Sequence, residues 1–234
     1  MKKTIRSVVC VLLTLVMLAG MGSGVFADWD GYYDDVPETA WYYRPVSVMS
    51  DLNVFDGVSE HMFMPHQTLT RAMAVTILYR FCIIVPNAKG QLPNVSEVNH
   101  PFEDVTPGSY YEKPLTWAYE KGITNGVSAT IFAPNAPVTR ERFACMLIRF
   151  GQAYFPKQFG KYIGVGSFCP NDIDDCSSWA KWSFLRACEC KIFRGDGNDY
   201  CHPRAPITRA EAAQTLLNFD EYAYLPLWSN TPDD

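Results

Sequence analysis

Three stretches of this chain carry the same stripe of apolar residues. The stripe is Ala74, Val75, Leu78 and Phe81 in the first stretch and Phe143, Ala144, Leu147 and Phe150 in the second. In the third it is Ala212, Ala213, Leu216 and Phe219. Positions i, i+1, i+4 and i+7 lie on one side of an α-helix, so each stretch predicts a helix with one buried face. A threonine and an arginine stand ahead of each stripe: Thr70-Arg71, Thr139-Arg140 and Thr208-Arg209. A shorter helical pattern precedes each of them, through Val46, Met49 and Leu52 in the first case and Leu115 and Ala118 in the second.

The punctuation between these patterns repeats as well. Thr70, Thr139 and Thr208 are 69 residues apart, and so are Gly57, Gly126 and Gly195, and Pro65, Pro134 and Pro203. A fixed period of this kind marks a repeat architecture whose units bury their faces against one another. The opening pairs Asp35-Val36, Asp104-Val105 and Asp172-Ile173 keep the register, apart from one extra residue before Trp179 in the third unit. The boundaries that follow are 28–81 for the first unit, 82–100 for a linker and 101–150 for the second unit. A second linker covers 151–168, the third unit 169–219, and a short acidic and aromatic tail 220–234. Each unit reads as helix, loop, helix. The expected fold is mostly α, with the three units forming a pseudo-threefold trimer around a central bundle of three second helices.

Composition changes this picture at two points. Lys2, Lys3 and Arg6 precede the apolar run Val8 to Met21, and Val25-Phe26-Ala27 offers small residues for cleavage, so residues 1–27 read as a secretory signal peptide. The run falls short of the roughly 20 residues a membrane span needs, so no span is expected after cleavage. Removing the leader takes three of the 20 basic residues and none of the 25 acidic ones, which moves the net charge from −5 to about −8. That balance argues against nucleic acid as a partner but leaves room for one local basic site.

Seven of the eight cysteines lie beyond the leader, and five of those fall between Cys169 and Cys201. Export permits disulfides. An odd count leaves one thiol unpaired or joined to another chain. The spacings do not match the paired arms of a zinc site. Buried free thiols, one or two disulfides and metal binding all remain open from the spacing. The run Asp196-Gly197-Asn198-Asp199 lacks the carboxylate that an EF-hand needs at its twelfth position, and it reads as a turn.

The chemistry concentrates at the second-helix starts. Thr70, Thr139 and Thr208 suit the N-cap, and Glu211 completes a capping box with Thr208. Arg71, Arg140 and Arg209 stand where the helix dipole disfavours a cation. Two readings explain them. Free helix N–H groups and a forked guanidinium would together hold a carboxylate or phosphate. Alternatively, each arginine pairs internally with Asp35, Asp104 or Asp172. Trp41, Tyr110 and Trp179 occupy one matched place in each unit. They would serve either as platforms for sugar rings or, the reading favoured here, as core residues. The four histidines are not repeated, and neither a catalytic motif nor a cofactor site is expected.

A unit reading Asp-Val, Trp, helix, Gly, Phe-x-Pro and then Ile-Thr-Arg-Ala-Glu resembles the S-layer homology (SLH) domain, and the resemblance covers the chain beyond the leader. It implies a three-pronged, non-enzymatic module at a bacterial surface. Such a module binds secondary cell-wall polysaccharide, often through pyruvylated sugar, in grooves between the units. The acid-contacting role would fall to Arg71, Arg140 and Arg209, with Gly57, Gly126 and Gly195 nearby. The groove at Arg209 matches the family motif most fully. Met73 and Arg142 replace the motif glutamate, Glu141 its alanine, Tyr110 the first-helix tryptophan, and Cys201 stands where Phe63 and Phe132 do. An alternative role is that of a surface-layer or assembly subunit making protein–protein contacts, with other surface proteins as partners. Most proteins of this kind carry a further effector domain, for which 234 residues leave no room.

Overall fold

A computed structural model of the chain describes residues 33–85, 95, 98–160 and 168–228. The expected signal peptide, much of the first linker and residues 161–167 of the second lie outside the described residues.

Seven α-helices are present among the described residues: α1 (Tyr43–Asp51), α2 (Arg71–Ile84), α3 (Glu112–Glu120), α4 (Arg140–Tyr154), α5 (Pro156–Phe159), α6 (Lys181–Glu189) and α7 (Arg209–Trp228). A 3₁₀ turn, Ile173–Asp175, precedes α6. Helix α7 continues past residue 219 into the tail. Among the described residues, extended pairing is limited to isolated bridges, three of them between units (Thr68–Thr208, Thr70–Pro137 and Thr139–Pro206) and one, Ser59–Met62, within the first.

The second helices α2, α4 and α7 start where their caps dictate. Thr70 and Thr139 have extended backbone, and their side chains accept from the Met73 and Arg142 amides. The Thr208 hydroxyl accepts from the Glu211 amide, while the Glu211 carboxylate accepts from the Thr208 N–H at 2.8 Å, which is the expected capping box. The apolar stripes of the three helices meet on the pseudo-threefold axis. Phe81, Phe150 and Phe219 form a triangle with ring centroids 5.6–6.0 Å apart, and Leu78, Leu147 and Leu216 are fully buried beside them. Each unit could not bury this face alone; three together do.

At the other end of the bundle the chain closes a ring of backbone hydrogen bonds. The Leu69 amide donates to Ile207, the Ile207 amide to Val138 and the Val138 amide to Leu69, each at 2.9 Å, with all three side chains fully buried. The ring leaves none of these buried polar groups unsatisfied.

First helices pack chiefly on the second helix of a neighbouring unit rather than on that of their own. Helix α3 packs on α2, α6 on α4, and α1 on α7. Each prong therefore joins two successive units, and the third prong unites the two ends of the fold. Helix α4 also carries α5, which turns back so that Phe159 covers Gly151 and stacks on Phe219.

Six of the cysteines are buried free thiols: Cys82, Cys145, Cys176, Cys188, Cys190 and Cys201. Cys169 is exposed. Burial pushes the Cys82 thiol up to about 11. The segment at Asp196 is a turn, in which its carboxylate accepts from the Asn198 and Tyr200 amides. No described helix is long and apolar enough to cross a membrane.

Candidate functional site

The loop joining the two helices of a unit is held by the aspartate that opens it. Asp35 accepts from the Phe63 and Met64 amides at 2.9 and 2.6 Å. Asp104 accepts from Phe132 and Ala133 at 2.8 and 2.7 Å, and Asp172 from Cys201 and His202 at 3.0 and 2.6 Å. The second residue of each pair, Met64, Ala133 or His202, sits in the left-handed region at φ +58°, +59° and +50°. This conformation is costly for a side chain with a Cβ, and the paired carboxylate bonds hold it. Glycine is needed in the same loop because the backbone doubles back on itself. A Cβ at Gly126 would overlap the Ser128 carbonyl and lie 2.6 Å from that of Ile131, and Gly57 is equally enclosed. Gly195 has more room, its nearest neighbour being the Asp199 backbone at 3.1 Å.

The motif arginines reach across to the loop of the next unit. Arg71 donates through Nε to the Phe132 carbonyl at 2.7 Å and through Nη2 to Asn125 at 2.6 Å. Arg209 makes the matching bonds to Phe63 and Asp56, at 2.8 and 2.6 Å, and so closes the circle. Arg140 donates to the Cys201 carbonyl at 2.7 Å and pairs with Glu211 at 2.9 Å. Each guanidinium also lies near the ring of a phenylalanine: Arg71 near Phe132, Arg140 near Phe193 and Arg209 near Phe63. Arg71 and Arg209 are 6% and 5% exposed. Burial first, and then the neighbouring Arg142, lowers Arg71 to about 10; burial lowers Arg209 as well.

Direct pairing of these arginines with Asp35, Asp104 and Asp172 was one sequence-based expectation, and the structure shows a different brace. Aspartate and arginine bind the N–H and the C=O of the same loop residue. Free N–H groups at the second-helix starts were the other expectation, and those groups are occupied. The Arg71 and Ala72 amides donate to the Ala136 and Pro134 carbonyls, and the other two helices repeat the arrangement with Ala205 and Pro203, and with Gln67 and Pro65. The first turn of each helix is thus spent on the neighbouring unit, and an anion would have to be held by side chains.

The core reading of Trp41, Tyr110 and Trp179 is corrected outright. They are 59%, 63% and 54% exposed. Their neighbours Tyr42 and Tyr111 turn inward instead, each packed edge-on against the outer ring.

A cleft of about 260 Å³ opens beside Arg71, lined among others by Asn125, Gly126, Arg142, Arg149 and Trp179. Arg142 stands at the third helical position of α4, with its guanidinium 5.3 Å from the Trp179 ring. Arg149 follows seven residues later on the same helix. Neither has a carboxylate partner among the described residues. The Nη1 of Arg71 likewise has no protein acceptor there. Matched positions in the other units differ. Arg142 corresponds to Met73 and Glu211, and Arg149 to Arg80 and Asn218. Arg80 is bound to Asp56 at 2.6 Å, and Glu211 neutralises Arg140. Charge at the Arg209 and Arg140 grooves is therefore compensated internally, while the groove at Arg71 keeps a surplus of cation.

Sequence reasoning had Arg142 only as a departure from a motif, and it passed over Arg149. Their spacing of seven residues, two helical turns, was the available signal. Glu141, beside Arg142, is buried and accepts from the Ser177 amide and hydroxyl, both at 2.9 Å.

The S-layer homology domain model matches residues 32–74 and 101–144 of this chain. The Surface-layer 125 kDa protein of Lysinibacillus sphaericus is 30% identical over 182 residues, covering 75% of this chain and 14% of that protein. The S-layer protein sap of Bacillus anthracis is 28% identical over 217 residues, covering 92% and 24%. An endoglucanase of Bacillus sp. strain KSM-635 is 26% identical over 189 residues, covering 79% and 18%. The chain spans less than a quarter of the length of each of these relatives. The matched portion is thus common to proteins named as surface-layer components and to one named as an enzyme. The third unit lies outside the residues that the domain model matches, but it repeats the Asp172, Arg209 and Thr208 contacts of the other two. On these grounds the chain belongs to the S-layer homology domain family, whose place is the surface of the cell envelope.

Proposed function

We propose that this chain is a cell-wall anchor that holds an anionic polysaccharide, non-covalently, in the cleft between Arg71, Arg142, Arg149 and Trp179. The observation that carries the proposal is the pair of arginines two turns apart on α4, without a carboxylate partner among the described residues, next to an exposed indole. A carboxylate on the sugar, such as a pyruvyl ketal, would take charge-assisted bonds from the two guanidinium groups. Trp179 would offer its face to the apolar side of the ring. The motif arginines enter this reading differently from one another. Arg71 adds its free Nη1 and its charge to the cleft. Arg140 and Arg209, with Gly57 and Gly195, keep the shape of the two remaining grooves, and Gly126 does so for the cleft.

Purified cell walls test the proposal. The wild-type chain should sediment with them, and the double variant Arg142→Ser, Arg149→Ser should remain in solution while keeping its helical circular dichroism. Walls stripped of acid-labile pyruvyl groups should bind the wild type poorly. Equal binding of both proteins to untreated walls would rule out the cleft.

A further inference from the structure

The loop of the third unit is built on sulfur where the other two are built on aromatic rings. In the first unit Tyr33 packs on Phe63, and in the second Phe102 packs on Phe132, each with ring centroids 5.5 Å apart. Pro170 and Cys201 occupy the corresponding places in the third, and Cys188, at the end of α6, replaces Ser50 and Tyr119. The Cys188 and Cys201 sulfurs lie 3.8 Å apart, and the two residues are 1% and 0% exposed. Cys201 is also the residue whose N–H is held by Asp172 and whose C=O is held by Arg140.

We propose that Cys188 and Cys201 form a disulfide in the exported chain, a covalent staple that takes over the role of the aromatic pair in the third loop. The sulfurs need to close by less than about 2 Å to reach bonding distance. The Cys188 thiol donates to the Cys201 sulfur, so completion of the fold brings the two sulfurs together and favours this pairing. The oxidant is a disulfide of the extracytoplasmic thiol-exchange class. The Cys201 thiolate attacks one donor sulfur, forms a mixed disulfide and releases a donor thiolate. The deprotonated Cys188 sulfur then attacks the Cys201 sulfur and releases the second donor thiolate. Two protein thiols are oxidised, one donor disulfide is reduced to its dithiol, and the two thiol protons pass to the donor sulfurs. Because both sulfurs are sealed in the folded protein, the exchange takes place while the chain is still folding. The other buried thiols lack such a partner: Cys176, for instance, donates to Glu141 at 3.4 Å.

The test uses the full chain exported by a bacterial host, unfolded in the presence of an alkylating reagent without reductant, and digested with trypsin. A cross-linked pair joining residues 187–191 to 195–204 is expected in the wild type. It should persist in Cys190→Ser and vanish in Cys188→Ser. Reductant should lower the melting temperature of the wild type and of Cys190→Ser by several degrees, and leave that of Cys188→Ser unchanged. Fragmentation of the wild-type peptide pair shows which of Cys188 and Cys190 carries the alkyl group, so a variant that fails to fold does not obscure the result. Alkylation of both Cys188 and Cys201 in the unreduced wild type would overturn the proposal, as would linkage through Cys190.

Discussion

Arg71 and Asp104 bind opposite sides of one residue: the guanidinium takes the Phe132 carbonyl at 2.7 Å, and the carboxylate takes the Phe132 amide at 2.8 Å. The two residues belong to different units, so the arrangement fixes a loop and joins two units at once. Removing the carboxylate leaves two amides unsatisfied and the left-handed Ala133 unsupported. Asp104→Ala should therefore cost about 2–4 kcal/mol of stability, read by urea denaturation.

The same geometry separates the structural arginine from the cations of the cleft. Arg71→Lys should destabilise the fold by about 2 kcal/mol, because one ammonium cannot span the Phe132 and Asn125 carbonyls together. Arg142→Ser should leave stability within about 0.5 kcal/mol of wild type, as expected for a surface site, while weakening wall binding at least tenfold. Parallel melting and sedimentation assays on the two variants decide this. If Arg142→Ser unfolds the protein, Arg142 has a structural role instead.

Salt should act on binding through the same side chains. Paired charges at a half-open cleft are screened over a Debye length of about 8 Å at physiological ionic strength. Wall affinity should fall as salt rises from low to about 0.5 M, and the slope should flatten in the Arg142→Ser, Arg149→Ser variant.

The aromatic triangle on the axis predicts a large, purely structural loss. Phe150→Ala removes a fully buried ring that contacts Phe81, Phe219 and Tyr154, and should cost about 3–5 kcal/mol. A chemical-denaturation midpoint close to wild type would show that the three stripes do not share one core.

Asp220, in α7, supplies a pH dependence. Burial, and then the adjacent Glu221, raises its carboxyl from 3.8 to about 6. The folded state therefore holds a proton that the unfolded state has already released between those values. The contribution from this group is present below about pH 4 and is lost as pH rises through 6. Since Asp220 is only partly buried, Asp220→Asn should stabilise the protein by about 1–2 kcal/mol at pH 7 and have no effect near pH 3.5. Thermal melts of the two proteins across this range give the difference directly.

Local rules made much of this protein legible. Helix stripes, threonine caps and the Glu211 capping box depend on residues three or four apart, and a fixed period of 69 carries them through all three units. The central bundle followed because no unit can bury its stripe alone. The exposure of Trp41, Tyr110 and Trp179 was not legible, since each is followed by or lies near a second large residue and only packing decides which one turns inward.

What the sequence by itself determined was the unit and its number: two helices, the second capped by threonine, and an aspartate-led loop, repeated three times, with apolar faces that must converge. Only the tertiary structure decided how the units connect. In a threefold ring every contact between units has an equivalent within one unit, so the pairing of α3 with α2, α6 with α4 and α1 with α7 leaves no trace in residue type. The same holds for the arginines. Their partners are backbone carbonyls, which every residue carries, so a side-chain pattern cannot announce them. Surplus charge in a cleft depends in turn on which cations the fold has already matched, as it matches Arg80 with Asp56 and Arg140 with Glu211 but leaves Arg142 and Arg149 to the solvent side.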